Sequence, residues 1–290
     1  MKINIISVDN RVGLSQDIRI LKEILEKKHE VNVIDIYNRR VVKQKAIINI
    51  WLEVLDHRYF GFGDYNILIP NPEWFYTAWS KWLKQINEIW VKTQDAAKIF
   101  KPLHNDIKYI SWTSRDRYDQ SIERKPIFLH IAGRSETKGT KAIIQAWTDK
   151  MPKLWLITEK KYYTNNSQIK PYYTWLKSEE IKQLQNRCLY HVCTSEYEGF
   201  GHYINEAKSC GGHIITTNAE PMKSIIKTNY LVNVKSTIRP RGRLGILNKI
   251  DPMHLREVVS KVNDKKINAK NRQDFLDNDK FFREQINQLI

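Results

Sequence analysis

Two stretches of this chain hold charged side chains at spacings that suit chemistry. In "CTSEYEGFGHYINEAKSCGG" (193–212), Glu198 and Glu206 lie eight positions apart, with Gly199-Phe200-Gly201 after the first of them. A carboxylate accepts two hydrogen bonds at once, which suits the vicinal hydroxyls of a ribose or a hexose. Gly199 and Gly201 let backbone approach a ligand without a Cβ in the way. A helix starting near His202 would turn its free N–H groups toward phosphate or sugar oxygens and carry Glu206 one turn in. The plainer alternative is an ordinary helix with Glu206 in solvent, and for a single glutamate that alternative wins. In "FLHIAGRSETKGTKAIIQAW" (128–147), Gly133 permits a tight turn where a strand ends, and Arg134 and Lys138 project from the loop that follows. Fixed cations beside oriented backbone N–H groups make a diphosphate site. The plainer reading is a solvated basic loop capped by Thr137.

A third stretch, "ILIPNPEWFYTAWSKWLKQINEIWVKTQDAAKIF" (67–100), reads a different partner. Asn71, Glu73, Trp74 and Phe75 follow a strand end. Trp74, Phe75 and Trp79 could stack on a sugar or base, and Glu73 could meet an acceptor hydroxyl. Trp82 and Trp90 read as core, and "SWTSRDRYD" (111–119) sets Arg115, Asp116 and Arg117 near a hinge.

These residues need strand ends and helix starts to hold them. The first half alternates strand-like runs (Ile3–Val8, Val31–Ile36, Tyr65–Ile69, Ile89–Lys92, Ile107–Trp112) with roughly helical spacing at Leu14, Ile18, Ile20, Leu21, Ile24 and Leu25, capped by Ser15 or Asp17. The polar run Thr113–Pro126 is the best linker. The second half begins a new alternation: strands at Ile127–Ala132, Leu154–Thr158, Cys188–Thr194 and His213–Thr217, and helices at Lys138–Trp147, Ser178–Asn186 and His202–Cys210. Residues 160–177 read as an irregular connection, and 252–263 and about 271–289 as closing helices. Such alternation predicts two α/β, doubly wound, Rossmann-like domains with a cleft between them. The expected division is a first domain over 1–120, a second over 121–270, and a helix over 271–290 that returns to the first domain.

Composition sets outer bounds. With 290 residues, 41% hydrophobic, the chain has material for two cores. No apolar run approaches the ~20 residues that cross a bilayer, and the short run at Ile3–Val8 reads as a first strand and not a signal peptide. Cys188, Cys193 and Cys210 show no metal-ligand spacing and cannot all pair, which fits a reducing, cytoplasmic setting. A viral chain would meet that setting in its host's cytoplasm, and a peripheral membrane position is compatible with it. The net charge is +16; residues 1–120 carry 19 Lys+Arg against 15 Asp+Glu, and 121–290 carry 29 against 17. This field favours anionic partners such as nucleic acid, an anionic membrane surface or a phosphorylated substrate, unless it is a Lys-rich compositional bias.

Taken together, the stretches resemble the retaining GT-B glycosyltransferases, glycosyltransferase family 4 in particular. Gly133-Arg134…Lys138-Gly139 is similar to that family's Gly-Arg…Lys-Gly loop, and Glu198-Gly199-Phe200-Gly201…Glu206-Ala207…Gly211 to its Glu-x7-Glu signature. "KKHEVNVID" (27–35) looks like its entry to the second strand, with Gly13 standing for its glycine loop. There are departures: one glycine in "DNRVGLS", and an Arg134–Lys138 spacing one shorter than the commonest pattern.

The resemblance implies a GT-B fold and a transferase that moves a sugar from a nucleoside-diphosphate sugar, a UDP-sugar for preference, with retention. Arg134 and Lys138 would hold the diphosphate, and Glu198 the transferred sugar. Glu206 would take the ribose, and the backbone at Phe200 and Gly201 the sugar phosphate. The resemblance implies no metal and no tightly bound cofactor. It would make the first domain, 1–120, the acceptor side and the second, 121–270, the nucleotide-sugar side. The acceptor would be a glycan or glycoconjugate, met by Gly13, Asn71, Glu73, Trp74 and Arg115. Two alternatives stand beside this: an acceptor of modified nucleic acid, such as hydroxymethylated phage DNA, or a non-catalytic nucleic-acid or carbohydrate-binding module on the same scaffold.

Overall fold

The computed structural model describes residues 1–38 and 44–290, which divide into two compact units. Unit 1 comprises Met1–Arg115, Arg239–Gly245 and Asn278–Ile290; unit 2 comprises Asp116–Ile238 and Ile246–Asp277.

In unit 1 the chain runs β1 (Lys2–Ser7), α1 (Gly13–Leu25), β2 (Glu30–Asp35), β3 (Ala46–Leu52), β4 (Gly63–Ile69), β5 (Glu88–Val91), α2 (Gln94–Phe100) and β6 (Ile107–Tyr109). The strands form one parallel sheet in the order β2-β1-β3-β4-β5-β6. Its register is marked by asparagines. Asn32, Asn4, Asn49 and Asn66 stand opposite one another on four neighbouring strands. Their amides link in series, from Asn32 to Asn4 at 3.1 Å, Asn4 to Asn49 at 2.9 Å and Asn49 to Asn66 at 2.9 Å. Trp51 Nε1 adds a bond to Asn66 Oδ1 at 3.1 Å. A one-residue slip would break this ladder and bury unpaired amides, so it specifies register as the apolar pattern alone does not.

Two expectations for this unit are corrected. Sequence spacing passed over β3, because a central strand covered on both faces buries Asn49–Leu52 in succession and shows no alternation. Neither Ser15 nor Asp17 caps α1. The Asn10 side chain accepts from the backbone N–H of Val12 at 3.0 Å and of Ser15 at 3.4 Å, while Asp17 is buried on Lys92.

Later segments of the chain complete the unit. Asn278 accepts from the Ser111 hydroxyl and donates to the Trp112 carbonyl, and Phe282 packs on Trp112 with ring centres 4.7 Å apart. Residues 239–245, which the sequence reading left elsewhere, attach through Gly245 N–H to Pro72 O and Thr77 N–H to Gly242 O, each 3.0 Å. The core gathers Ile6, Trp51, Phe60, Leu68, Phe75 and Phe100.

Unit 2 holds β7 (Lys125–Gly133), α3 (Thr140–Ala146), β8 (Leu154–Thr158), β9 (Ile169–Tyr173), α4 (Ser178–Arg187), β10 (Cys188–Cys193), α5 (His202–Ser209), β11 (His213–Thr217), α6 (Met222–Ile225) and β12 (Leu231–Val232). The hairpin β13 (Val234–Ile238) and β14 (Leu247–Ile250) follows, then α7 (Pro252–Lys261) and the start of α8 (Ala269–Leu289), whose residues from Asn278 on belong to unit 1. The parallel sheet has the order β12-β11-β10-β7-β8-β9. The segment 160–177 is not wholly irregular: it contains the edge strand β9, where Pro171 is tolerated. Phe128, Trp147, Leu154, Tyr190, Val192 and Leu255 lie in the core, and all three cysteines are buried and free. His130, at no exposure, bonds Val192 O at 2.7 Å and Thr140 Oγ1 at 2.9 Å, and burial pushes it down to about 4. It is a neutral core histidine that ties β7 to β10 and α3. No helix among the described residues is long and apolar enough to cross a membrane.

Candidate functional site

In the sheet of unit 2, β7 and β10 are neighbours although α3, β8, β9 and α4 separate them in sequence. The chain leaves the sheet centre in opposite directions from this pair, so a crevice opens beyond their carboxyl ends. The two motif loops are the ones that leave there. Gly133 ends β7 at φ +54, at a register shift in the β7–β8 pairing. A bulge of this kind re-aims the chain, and glycine takes the left-handed conformation at no steric cost. Gly139 caps α3 at φ +76, and a Cβ there would lie 2.3 Å from the Thr194 carbonyl oxygen. That close approach holds the α3 start against the end of β10. Gly201, at φ +74, caps α5 in the same left-handed conformation, and a Cβ there would meet side chains of Ile204 and Ile225 instead of backbone.

The result is a direct meeting of the two loops. Lys138 Nζ donates to Glu198 Oε1, and the ammonium sits 4.1 Å from the centre of the Tyr203 ring. Ser195 Oγ donates to the same carboxylate oxygen and accepts from Tyr203 OH at 2.8 Å. Burial keeps the Tyr203 phenol neutral, far above its usual range. Glu198 Oε2 accepts no hydrogen bond among the described residues. Lys138 and Glu198 keep side-chain exposures of 19% and 10%, enough for a ligand to reach them. Phe200 is buried, edge-on to His202.

The other two charged candidates stand apart from this pair. Arg134 is 68% exposed, forked onto both carboxylate oxygens of Glu159 at 3.0 and 3.1 Å and 5.2 Å from the centre of the exposed Trp175 ring. Glu206 is buried, not in solvent. Its Oε1 accepts from Arg117 Nη2 at 3.2 Å and its Oε2 from Gln185 Nε2 at 3.1 Å. Arg117 is itself held by the Ser178 hydroxyl at 2.6 Å. A carboxylate has about four lone-pair positions, so these bonds leave Glu206 capacity for more donors. Sequence reasoning had no signal for Tyr203, Ser195, Glu159 or Gln185, whose parts follow from which strands adjoin.

In unit 1, Gly13 opens α1, Asn71 and Glu73 are buried, and Trp74 and Arg115 are exposed. Phe75 is not available for stacking: it is fully buried, edge-on to Trp79 and Phe100. Trp90 is fully buried, while Trp79 and Trp82 are partly buried against the cluster that holds Trp51, Phe75 and Phe100.

Comparison with solved structures now decides the architecture. The chain aligns over 100% of its length with 98% of Anabaena Alr3699/HepE in complex with UDP and glucose, at a TM-score of 0.67 and 14% identity. The fold is GT-B. Two more GT-B likenesses are AviGT4, a glycosyltransferase involved in avilamycin A biosynthesis, and the sucrose-phosphate synthase of Thermosynechococcus elongatus. For AviGT4 the TM-score is 0.61 and the identity 12%, over 99% of this chain and 96% of that one; for the synthase they are 0.65 and 12%, over 100% and 94%. Residues 114–239 match the family model described as glycosyl transferases group 1. By sequence, no curated protein matches the chain. The matched span contains both GT-B motif loops, Gly133–Gly139 and Glu198–Glu206.

Proposed function

We propose that this protein transfers a sugar, with retention of anomeric configuration, from a nucleoside-diphosphate sugar to a glycan or glycoconjugate. The observation that carries the reading is the Lys138–Glu198 pair, a cation and a carboxylate from the two motif loops, joined at the switch point of the unit 2 sheet. The match of residues 114–239 to glycosyl transferases group 1 supports it. So do the neighbours of the same fold solved with UDP and with UDP-glucose, which support a UDP-sugar as donor.

Each residue then has a task set by charge. Lys138 exchanges the Glu198 carboxylate for the donor diphosphate and offsets charge that grows on the leaving phosphate. Glu198, so released, accepts hydrogen bonds from the transferred sugar through its open Oε2. Arg134 gives a second, more mobile cation, and Glu206 takes ribose hydroxyls while Arg117 and Gln185 fix its orientation. The cations and the α5 start neutralise the leaving group without a metal. Attack from the leaving-group face lets the departing phosphate take the acceptor proton, so the donor unit needs no strong base. On the acceptor side Gly13, Asn71, Glu73, Trp74 and Arg115 are the candidates.

A thermal-shift series with UDP, GDP, UDP-glucose and UDP-N-acetylglucosamine tests the reading, since a ligand at 100 times its Kd stabilises the folded state by about 2.7 kcal/mol. UDP or its sugars should raise Tm, and Lys138→Ala should abolish the rise. No shift with any nucleotide, together with no donor hydrolysis, would sink it.

A further inference from the structure

The sheet of unit 1 has a switch point too, between β1 and β3, and a polar group of its own sits beside it. Glu53 is the first residue after β3, and Asn71 follows β4. Asn71 Nδ2 donates to Glu53 Oε2 at 2.6 Å. Two acceptors are left side by side: Glu53 Oε1, which accepts nothing among the described residues, and Asn71 Oδ1, which is buried without a partner on a residue only 9% exposed. A buried acceptor left open is costly unless a ligand supplies the donor.

Glu53 also holds φ +67, a left-handed conformation that a glutamate takes at a cost and glycine takes freely. Its one described backbone bond here, N–H to Ile69 O at 2.9 Å, could come from any residue but proline. The strained position thus carries a carboxylate that takes one bond from Asn71 and leaves its other oxygen open, which points to a use for the side chain. Burial pushes that carboxyl up to about 7; Asn71, Lys92 and Arg243 pull it down and Asp17 adds to the rise.

The surroundings select the ligand. Lys92 and Arg243 both face Glu53, which disfavours a cation, and two bare oxygen acceptors disfavour an anion. A neutral pair of hydroxyl donors fits. Arg243 also stacks 3.5 Å from the centre of the Tyr76 ring and 5.1 Å from that of Trp74, two exposed rings suited to the C–H face of a pyranose.

We propose that Glu53 and Asn71 bind a pair of hydroxyls on a saccharide acceptor, beside the Trp74 and Tyr76 rings. This rests on the glycosyl-transfer reading and names the contact that its acceptor makes. Saturation-transfer NMR on the full chain with glucose, galactose, mannose and N-acetylglucosamine tests it. At least one sugar should bind saturably, and Glu53→Gln and Glu53→Gly should each weaken it at least tenfold while Tyr163→Ala, at an exposed side chain of unit 2, leaves it unchanged. The proposal is overturned if none of the four sugars binds, if binding survives both Glu53 changes, or if Tyr163→Ala removes it as well. The UDP shift, measured in the same samples, reads unit 2 separately: its loss would remove the donor reading and leave the sugar result standing.

Discussion

Each unit holds a lysine–carboxylate pair at the carboxyl edge of its sheet, with the lysine over an aromatic ring. In unit 1 Lys92 meets Asp17 at 2.5 Å and lies 4.6 Å from the centre of the Trp112 ring. In unit 2 Lys138 meets Glu198, over Tyr203. The first pair is 2% exposed on both sides, and the Trp112 indole N–H takes the other Asp17 oxygen at 2.6 Å. The second is reachable by solvent and keeps Glu198 Oε2 open. The same chemistry thus serves two ends, and sealing separates them. A phosphate can compete for a lysine only where the pair can part without stranding a buried charge.

The sharpest way to break this comparison is to cut each pair and see which property fails. Asp17→Ala leaves the Lys92 ammonium and the Trp112 indole unpaired in a dry site, so it should cost about 3–5 kcal/mol of stability, read by urea denaturation. A loss under about 1 kcal/mol would show that water enters and that the pair is not sealed. Lys138→Ala should behave in the opposite way. Its stability should stay close to wild type, while donor turnover falls by about 10²–10³-fold, the usual loss when one charge-stabilising donor is removed. Unchanged turnover would remove Lys138 from the chemistry.

How much of this was legible beforehand follows the same division between local and non-local information. The motif loops could be read because Gly133, Gly139 and Gly201 are needed by local backbone, and each takes a positive φ. The strands that carry them, β7 and β10, were legible as apolar runs for the same reason. What no spacing could show is that these two strands adjoin, which makes Lys138 face Glu198 and turns Glu206 inward onto Arg117. Likewise β3 hid in an unbroken buried run, and with it Glu53, whose meaning comes from Asn71 eighteen residues later. The asparagine ladder was in plain view as "KINI", "EVNV", "IINI" and "DYNI", one polar residue inside each apolar strand. Only pairing reveals it as a ladder.

That ladder gives a smaller effect that sharpens the contrast between sealed and open polar groups. Asn49→Leu keeps the branched shape and removes two links, leaving Asn66 Oδ1 with the Trp51 indole and Asn4 Nδ2 with the Gln44 and Phe62 carbonyls. It should cost about 1–3 kcal/mol, since each of the two hydrogen bonds lost is worth about 0.5–1.5. Replacing the neighbour as well, Asn49→Leu with Asn66→Leu, should cost less than the sum of the two single changes, a non-additivity that a double-mutant cycle measures. Additive losses would mean that the amides act independently.

The remaining effect is a pH dependence, and its sign separates Glu53 from the histidines of unit 2. An ordinary glutamate releases its proton near 4.5, whereas Glu53 in the folded chain holds it to about 7. Between those values the native state binds the extra proton, so this group makes stability fall as pH rises, by at most about 1.4 kcal/mol per unit. His130 and His191 act the other way. Burial lowers both from 6.5 to about 4, so the unfolded state binds more protons over that window and stability rises with pH. The net slope is therefore uninformative, and the difference between wild type and Glu53→Gln is the quantity to measure. The histidine contribution cancels in that difference. The wild type should lose stability relative to the variant from about pH 4.5 to 7 and hold level above that, by urea denaturation across the range. A flat difference would mean that the Glu53 carboxyl is solvated like any surface acid, and unit 1 would then have no open polar group to set against Lys138 and Glu198.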